Sequence, residues 1–455
     1  MVDASEGRTL QPRMAGGSGP PGASPVGETM KAVRISGILW MAVALASSAP
    51  VLAKPASWPQ SYHDSGHTGF NKKEKTLSAG NVAGLQLVWG QSQDNCQTFA
   101  DVYDQGTLYL VGQESDCSTF NIQALDAATG AVKWDVPVGN PGGGSPTVAT
   151  GNGLVFTGCE FFDTQLGRAY GAICALSQTD GSLVWQDSNP CNCLPEAGIQ
   201  AQPVYANGIV YYGYANGGAG ANEYIVAADA NTGVELWTYV TGGPNTLGTA
   251  APAVANGAVY FACSPVSARL VCALSANDGS LLWQSAIPSN DTVYSLVAAG
   301  DRIYADVCGT NALVALDAAT GGALWTNSTL ECNGASLVAV AGGYLYYAKP
   351  GGELDKLKAK NGKVKWTAGS PNVPTGPASV ANGVVYVPGG PNAGRSTGAS
   401  AYDARTGALL WNSNFSGDSY GIPPPPIVVN GVVYEANDSS CGSLCAYALP
   451  GALRR

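Results

Sequence analysis

Short apolar runs alternate with tight-turn signals along most of the chain. The clearest copy covers residues 315–325, where an apolar run ends at Asp317, Thr320-Gly321 follows, and an apolar return leads to Trp325. This pattern predicts strand, turn and strand, because glycine accepts the positive φ of a tight turn. Seven segments share a glycine four residues before a tryptophan: Gly130 with Trp134, Gly181 with Trp185, Gly233 with Trp237, Gly279 with Trp283, Gly321 with Trp325, Gly362 with Trp366, and Gly407 with Trp411.

The spacing of these tryptophans predicts the architecture. Trp89 ends a similar apolar run without a preceding turn, and the eight tryptophans are separated by 41 to 52 residues. Repeats of about 40 to 50 residues with several short strands each are typical of propeller blades. Eight hairpin signals run in step: Gln105-Gly106, Asn152-Gly153, Asn207-Gly208, Asn256-Gly257, Gly300-Asp301, Gly342-Gly343, Asn382-Gly383 and Asn430-Gly431.

The two ends of the repeat region complement each other. After Trp411 the pattern predicts only three strands, near residues 427–429, 432–435 and 444–449, whereas residues 85–89 form an outer strand without a blade. Pairing the two ends would remove the free sheet edges. The fold prediction is therefore all-β, an eight-bladed β-propeller of four-stranded antiparallel blades over residues 85–455, closed by an N-terminal strand.

The repeated phrase Ala-x-Asp-x-x-Thr-Gly-x-x-x-Trp resembles the tryptophan-docking motif of the pyrroloquinoline quinone (PQQ) type repeat. The resemblance covers residues 58–449. It implies an eight-bladed propeller of the quinoprotein alcohol dehydrogenase-like class, which includes both dehydrogenases and non-catalytic outer-membrane assembly factors. The repeat tryptophans and glycines are accordingly expected to be structural, each tryptophan packing between blades and each glycine permitting a turn.

The N-terminal region shows a different pattern. Residues 1–29 are rich in Gly, Pro, Ser and Ala and are expected to be disordered. They lie upstream of Met30, which is a better candidate for the first residue of the natural protein. Residues 30–53 have the basic, apolar and small-residue order of a signal peptide, and the apolar run is short for the alternative, a membrane anchor. Residues 54–84 are predicted to form a strap before the propeller. We therefore expect an exported, periplasmic or extracellular monomer without a membrane span.

The cysteines predict disulfide bonds, and the net charge bears on which ligands the protein could bind. All twelve cysteines follow residue 53, and an even number in an exported chain predicts disulfides. Positions within the repeat predict the pairs Cys159–Cys174, Cys263–Cys272, Cys441–Cys445, Cys96–Cys117 and Cys308–Cys332. Cys191 and Cys193 are left without an assigned partner. They could form a disulfide with each other in a small, tight ring, or pair with another group; the alternative is that they bind zinc. The net charge of −10, without a basic cluster, argues against nucleic-acid binding.

Few residues suggest catalysis. The only histidines, His63 and His67, lie in the strap, where packing is expected rather than a metal or general-base role. In the quinoprotein dehydrogenases that this repeat resembles, the quinone lies between a tryptophan floor and two adjacent cysteines, beside Ca²⁺. This chain has no adjacent cysteines, and the repeat uses all eight propeller tryptophans. The acidic residues assigned to loops are expected to be solvated: Glu160, Asp163, Glu196, Asp306 and Glu331.

These observations favour a non-catalytic binding or scaffold module. The expected ligand is a protein or carbohydrate, bound on the loop-rich face or in the central funnel, and no cofactor is expected. The alternative is a PQQ- and Ca-dependent quinoprotein dehydrogenase of alcohols or polymeric alcohols. Cys191 and Cys193, with Glu196, mark the first place to look for such a site.

Overall fold

A computed structural model describes residues 56–452, except for residues 92–97, 114–118, 141–145, 165–167, 188–197, 216–222, 242–250, 264–269, 288–292, 308–311, 331–337, 350–352, 370–372, 375, 391–397, 414–423 and 437–443. The described residues form eight antiparallel blades of four strands, so the predicted eight-bladed propeller is confirmed. None of the described residues forms a helix with the length and hydrophobicity that a membrane crossing requires.

Each blade is given from its innermost to its outermost strand. Blades 1 and 2 contain β3 (Thr98–Asp104), β4 (Thr107–Gln113), β5 (Phe120–Asp126) and β6 (Val132–Gly139), then β7 (Val148–Gly151), β8 (Leu154–Asp163), β9 (Arg168–Ser177) and β10 (Leu183–Asp187). Blades 3 and 4 contain β11 (Gly198–Ala206), β12 (Ile209–Ala215), β13 (Glu223–Asp229) and β14 (Glu235–Val240), then β15 (Ala253–Ala255), β16 (Ala258–Cys263), β17 (Leu270–Ser275) and β18 (Leu281–Ala286).

Blades 5 and 6 contain β19 (Val293–Ala299), β20 (Arg302–Val307), β21 (Ala312–Asp317) and β22 (Ala323–Asn327), then β23 (Ala339–Ala341), β24 (Tyr344–Ala348), β25 (Glu353–Lys358) and β26 (Val364–Gly369). Blades 7 and 8 contain β28 (Ser379–Ala381), β29 (Val384–Gly390), β30 (Ala399–Asp403) and β31 (Leu409–Asn412), then β32 (Ile427–Val429), β33 (Val432–Ala436), β34 (Leu444–Ala448) and β2 (Gln86–Gln91). Blade 7 also pairs with β1 (Phe70–Asn71) and β27 (Val373–Pro374), and a short 3₁₀ helix covers Val82–Gly84.

The two ends of the blades differ in their connections. At one end, which we call the hairpin face, tight turns join the first strand to the second and the third to the fourth. Asn256 and Gly257 illustrate the first kind, with φ of 54° and 74°, as a type I′ hairpin requires. At the opposite end, the loop face, the connections lie largely outside the described residues.

The repeat tryptophan and glycine meet across neighbouring blades. Gly321 lies against the ring of Trp283 from the preceding blade, and a Cβ added there would come within 2.5 Å of Cε3. All seven repeat glycines have this contact, so the glycine has two functions: it permits the turn and leaves room for the indole. The Trp283 indole N–H donates to Ala318 O at 3.0 Å, three residues before Gly321. The predicted packing of tryptophan between blades is thus observed.

The tryptophans of blades 1, 2 and 3 show the same arrangement. Trp134, Trp185 and Trp237 each lie against the repeat glycine of the next blade, and their indole rings are buried or half-buried. Each indole N–H donates to a backbone carbonyl three residues before that glycine: Trp134 to Gln178 O at 3.1 Å, Trp185 to Ala230 O at 2.9 Å, and Trp237 to Ala276 O at 3.1 Å. These tryptophans therefore hold the blades together, as the repeat predicts, and are not free to form a cofactor floor.

The last repeat tryptophan differs from the others. Trp325 and Trp366 pack on the repeat glycine of the next blade, but Trp411 faces blade 8, whose outermost strand comes from the N-terminal end of the propeller. No turn joins the third and fourth strands of that blade, so it has no repeat glycine. Trp411 instead contacts Tyr447 of blade 8 edge-on, with ring centres 5.1 Å apart. The tryptophan thus keeps its position between blades although its usual partner is missing.

An aromatic residue strengthens these contacts. Tyr260, three residues after the hairpin glycine Gly257, lies 5.9 Å from the Trp283 ring and donates its hydroxyl to the same Ala318 carbonyl at 3.2 Å. The equivalent position is aromatic in every blade, as Tyr109, Phe156, Tyr211, Tyr260, Tyr304, Tyr346, Tyr386 and Tyr434. This residue lies 5.9 to 6.2 Å from the repeat tryptophan in seven blades, so most seams repeat an aromatic pair whose geometry adds to the free energy of area burial.

The N-terminal strand closes the ring as predicted. β2 is the outermost strand of blade 8 and pairs with β34, so that Trp89 lies opposite Ala446. Trp89 then packs on Gly130 of blade 1 and donates to Ala127 O at 3.2 Å. The first and last parts of the propeller sequence thus share one sheet, which leaves no unpaired edge at the junction.

The strap follows the inner rim of the hairpin face rather than crossing it once. Residues 58–71 bond in order to the innermost strand of each blade; for example, Val254 N donates to Ser65 O at 2.6 Å and Val340 N donates to Thr68 O at 2.8 Å. The eight contacted residues are Tyr103, Thr150, Tyr205, Val254, Ala298, Val340, Val380 and Val428. This single segment therefore contacts all eight blades.

Two of the predicted disulfides lie within described residues. Cys159–Cys174 joins β8 to β9 with Cα atoms 5.9 Å apart, and Cys263–Cys272 joins β16 to β17 at 5.8 Å. Cys445 is disulfide-bonded as well, while its predicted partner lies outside the described residues. The other cysteines of the predicted pairs also lie outside them: Cys96, Cys117, Cys308, Cys332 and Cys441.

Candidate functional site

A buried carboxylate lies between blades 5 and 6, close to the loop face. Asp306 is the second-last residue of β20, and only 1% of its surface is exposed. The expectation that this residue is solvated is wrong, because Asp306 points into the seam on the same side as Tyr304, two residues earlier in the strand. The Tyr347 hydroxyl of blade 6 donates to its two carboxylate oxygens at 3.3 and 3.4 Å.

Burial sets the protonation of this carboxyl group. Desolvation raises the pKa of Asp306 to about 7, although the Tyr347 hydroxyl and the Val307 backbone N–H both favour the charged form. A carboxyl with a pKa near 7 is poised to accept or donate a proton at neutral pH. Tyr347 is itself buried, so the geometry of its hydroxyl is fixed by packing.

Charged neighbours in blade 6 extend this polar region. The Lys349 ammonium lies 2.5 Å from Glu353 and 3.1 Å from the buried Asp355. Burial alone would lower the pKa of Lys349, but hydrogen bonds to the two carboxylates raise it above its usual value. Asp355 also accepts a 2.5 Å hydrogen bond from Thr367 and lies opposite Tyr347 in the sheet. Blade 6 thus presents an ordered set of polar groups at its loop-face end.

The strap histidines occupy structural positions. His67 is 3% exposed, and its Nδ1 lies 3.3 Å from Leu296 O, while burial lowers its pKa. His63 lies beside Asp64, with Nδ1 to Oδ2 at 3.3 Å, and contacts the edge of the Trp58 ring. His67 therefore helps to hold the strap on the propeller, whereas the described contacts of His63 lie within the strap.

Most of the other site residues considered from the sequence lie outside the described residues. Glu160 accepts a hydrogen bond from Asn140 N at 2.9 Å and is partly exposed. The Asp163 side chain, Glu196, Glu331 and the pair of Cys191 and Cys193 lie outside the described residues. Within the part of the chain that the structure describes, no three His, Cys, Asp or Glu residues form a group that could hold a metal ion.

Comparison with known proteins identifies relatives of two kinds. The family described as outer membrane protein assembly factor BamB matches residues 73–223 and 221–375. Tetrathionate hydrolase of Acidithiobacillus ferrooxidans is 25% identical over 362 residues, which cover 69% of this chain and 66% of that protein. The dehydrogenase subunit of the quinone alcohol dehydrogenase of Komagataeibacter europaeus is 29% identical over 280 residues, which cover 55% of this chain and 35% of that protein.

Solved structures share the fold. The quinohemoprotein alcohol dehydrogenase of Comamonas testosteroni superposes with a TM-score of 0.65 at 16% identity, over 87% of this chain and 81% of that chain. A europium-containing methanol dehydrogenase gives 0.63 at 15% identity, over 87% and 98%. The chain spans about two thirds of the tetrathionate hydrolase and about a third of the Komagataeibacter subunit.

Proposed function

The chain belongs to the PQQ-like β-propeller family, and we propose that it is an exported enzyme that performs acid–base chemistry at Asp306. The observation that carries the proposal is the buried carboxyl with a pKa of about 7, held by Tyr347 near the loop face. The relatives named above include enzymes of two classes, which favours the enzymatic alternative over a passive scaffold. The two disulfides and the predicted signal peptide support export.

The first candidate reaction is oxidation of an alcohol with PQQ and Ca²⁺, supported by the quinone-dependent relatives. Asp306 would take the proton of the substrate hydroxyl. Among the described residues, no three His, Cys, Asp or Glu residues form a group that could hold the Ca²⁺. The tryptophans are packed in the seams, and the two described disulfides lie within hairpins.

The second candidate is hydrolysis of an inorganic polythionate. It is favoured by the tetrathionate hydrolase, whose similarity extends over more of both chains than that of the Komagataeibacter dehydrogenase. Hydrolysis requires a base that takes a proton from the attacking water, a function that a carboxylate with a pKa near 7 can perform.

Two assays on one pair of variants test the proposal. Purified protein should oxidise alcohols in a dye-linked assay with PQQ and Ca²⁺, or consume tetrathionate as followed by ion chromatography. Asp306→Asn should reduce whichever activity is found by about 10²- to 10⁴-fold, whereas Asp301→Asn, on an exposed turn of the same blade, should not. Absence of both activities, or full activity of Asp306→Asn with an unchanged circular dichroism spectrum, would refute the proposal.

A further inference from the structure

One blade seam departs from the repeat at a buried position. In seven blades the residue opposite the repeat tryptophan is alanine: Ala124, Ala175, Ala227, Ala273, Ala315, Ala401 and Ala446. In blade 6 the equivalent residue, opposite Trp366, is Lys356. A lysine therefore enters the seam between blades 6 and 7 where the fold elsewhere uses a methyl group.

The lysine is unfavourable for the fold in two ways. Lys356 is only 8% exposed, and its Nζ donates to Ala404 O at 2.7 Å. Six other repeat tryptophans donate to the equivalent carbonyl, whereas the buried Trp366 indole N–H has no partner among the described residues. Burial of an ammonium group and of an unpaired N–H both oppose folding. Natural proteins tend to retain such departures at functional positions.

Among the described residues, the ammonium group also has no anionic partner at ion-pair distance. The ion pairs between described residues involve other cations, and no described carboxylate lies within ion-pair distance of Lys356 Nζ. Nζ lies instead 3.8 Å from the centre of the Tyr344 ring, a cation–π contact. Burial lowers the pKa of Lys356, Asp403 opposes this effect, and the exposed Lys365 adds to it.

A cleft of about 440 Å³ opens at this seam on the hairpin face. Its lining combines apolar and aromatic surface, including Phe70, Tyr344 and Tyr346, with Lys356 and Arg405. Asp403 is the one carboxylate in the lining, and it accepts the backbone N–H groups of its own turn. Two cations and one carboxylate leave the cleft with a net positive charge.

From this arrangement we propose that the cleft binds a small organic carboxylate, with its anionic group on Lys356 and Arg405 and its apolar body on Tyr344 and Phe70. Buried charges in proteins are normally paired, and the ligand would supply the anion that the described chain does not. The cleft lies at the opposite face from Asp306, so this proposal is independent of the proposed reaction.

The experiment measures binding of sodium benzoate, hexanoate and acetate by calorimetry and thermal shift, with sodium chloride at matched ionic strength. We expect saturable benzoate binding, weakened about 10- to 100-fold in Lys356→Met, since a charge-assisted hydrogen bond is lost. Lys365→Met makes the same change of charge at an exposed neighbouring site and should bind as the wild type does. Asp306→Asn should also bind normally.

The outcomes separate the ligand site from a purely structural lysine. Equal binding by wild type and Lys356→Met, or no saturable response of the wild type to any of the three carboxylates, would overturn the proposal. Lys356→Met should fold, because methionine keeps a similar length without the charge. Lys356→Ala, which restores the residue found in the other blades, provides a second variant that should also lose binding.

Discussion

The contact between repeat glycine and tryptophan can be tested by comparing two alanine substitutions. Gly321 and Gly257 have nearly the same φ, +72° and +74°, in the left-handed region that disfavours a residue with a Cβ. A Cβ at position 321 would come within 2.5 Å of Trp283 Cε3, whereas a Cβ at position 257 would have no atom within 4 Å. Gly321→Ala and Gly257→Ala therefore share the backbone strain and differ in the clash.

The two contributions can be estimated separately. A left-handed conformation costs about 1 to 2 kcal/mol for a residue with a Cβ, and both variants should lose this much stability. Overpacking in a well-packed core typically costs about 1 to 3 kcal/mol more, and only Gly321→Ala should show this loss. We therefore expect the free energy of unfolding to decrease by about 2 to 5 kcal/mol for Gly321→Ala and by about 1 to 2 kcal/mol for Gly257→Ala.

Urea unfolding followed by circular dichroism measures both values. A double-mutant cycle adds a sharper test, because removing the indole should remove the clash. In a Trp283→Leu background, Gly321→Ala should destabilise no more than Gly257→Ala does in the wild type. Equal losses for the two glycine variants in the wild type, or an unchanged loss in the Trp283→Leu background, would show that the contact does not explain the glycine.

Three further predictions concern the carboxylate, a disulfide and the strap. Because burial raises the pKa of Asp306 to about 7 from 3.8, the native state binds more protons between these values. The free energy of unfolding should therefore fall as pH rises through this window, and Asp306→Asn should lessen the fall in a pH series of urea titrations. Replacing both Cys159 and Cys174 with serine should cost about 2 to 4 kcal/mol in the same assay, whereas equal stability would argue against this contribution. Deleting residues 54–90 should give an aggregating protein by light scattering, because the blade 8 edge is exposed; a soluble monomer with unchanged melting would contradict this.

Most of the fold could be predicted because the hairpin signal and the tryptophan each occur eight times in the sequence, once for each blade. Turn glycines, Asn-Gly pairs and tryptophans each follow from a local requirement of the backbone or of the seam, so their spacing predicts the number of blades and the closure by β2. The aromatic residue three positions after the second residue of each hairpin turn, such as Tyr260, is equally visible in the sequence. Its contact with the tryptophan of the same blade depends on the register of the second and fourth strands of that blade, which spacing alone does not describe.

The candidate site could be predicted only in part, because burial of a polar side chain contradicts the usual pattern. Asp306 follows Tyr304 by two residues, so the period of a strand places both side chains on one side. An acidic residue near a loop is nevertheless normally assigned to the surface, and this rule fails at Asp306. The hydroxyl of Tyr347, 41 residues later, becomes its neighbour only when blades 5 and 6 pack together.

Two departures from the repeat lie at the two seams of blade 6. Its seam with blade 5 holds the Asp306–Tyr347 pair, and its seam with blade 7 holds Lys356 in place of alanine. Neither feature follows from the requirements of the propeller, since the residue opposite the repeat tryptophan is alanine in the other seven blades and the position of Asp306, two residues after the aromatic residue, is uncharged in them. Sequences whose local choices otherwise agree with the fold deviate mainly where function demands it. Blade 6 is therefore the part of this propeller in which function is best sought, with the proposed reaction site near the loop face and the proposed ligand cleft at the hairpin face.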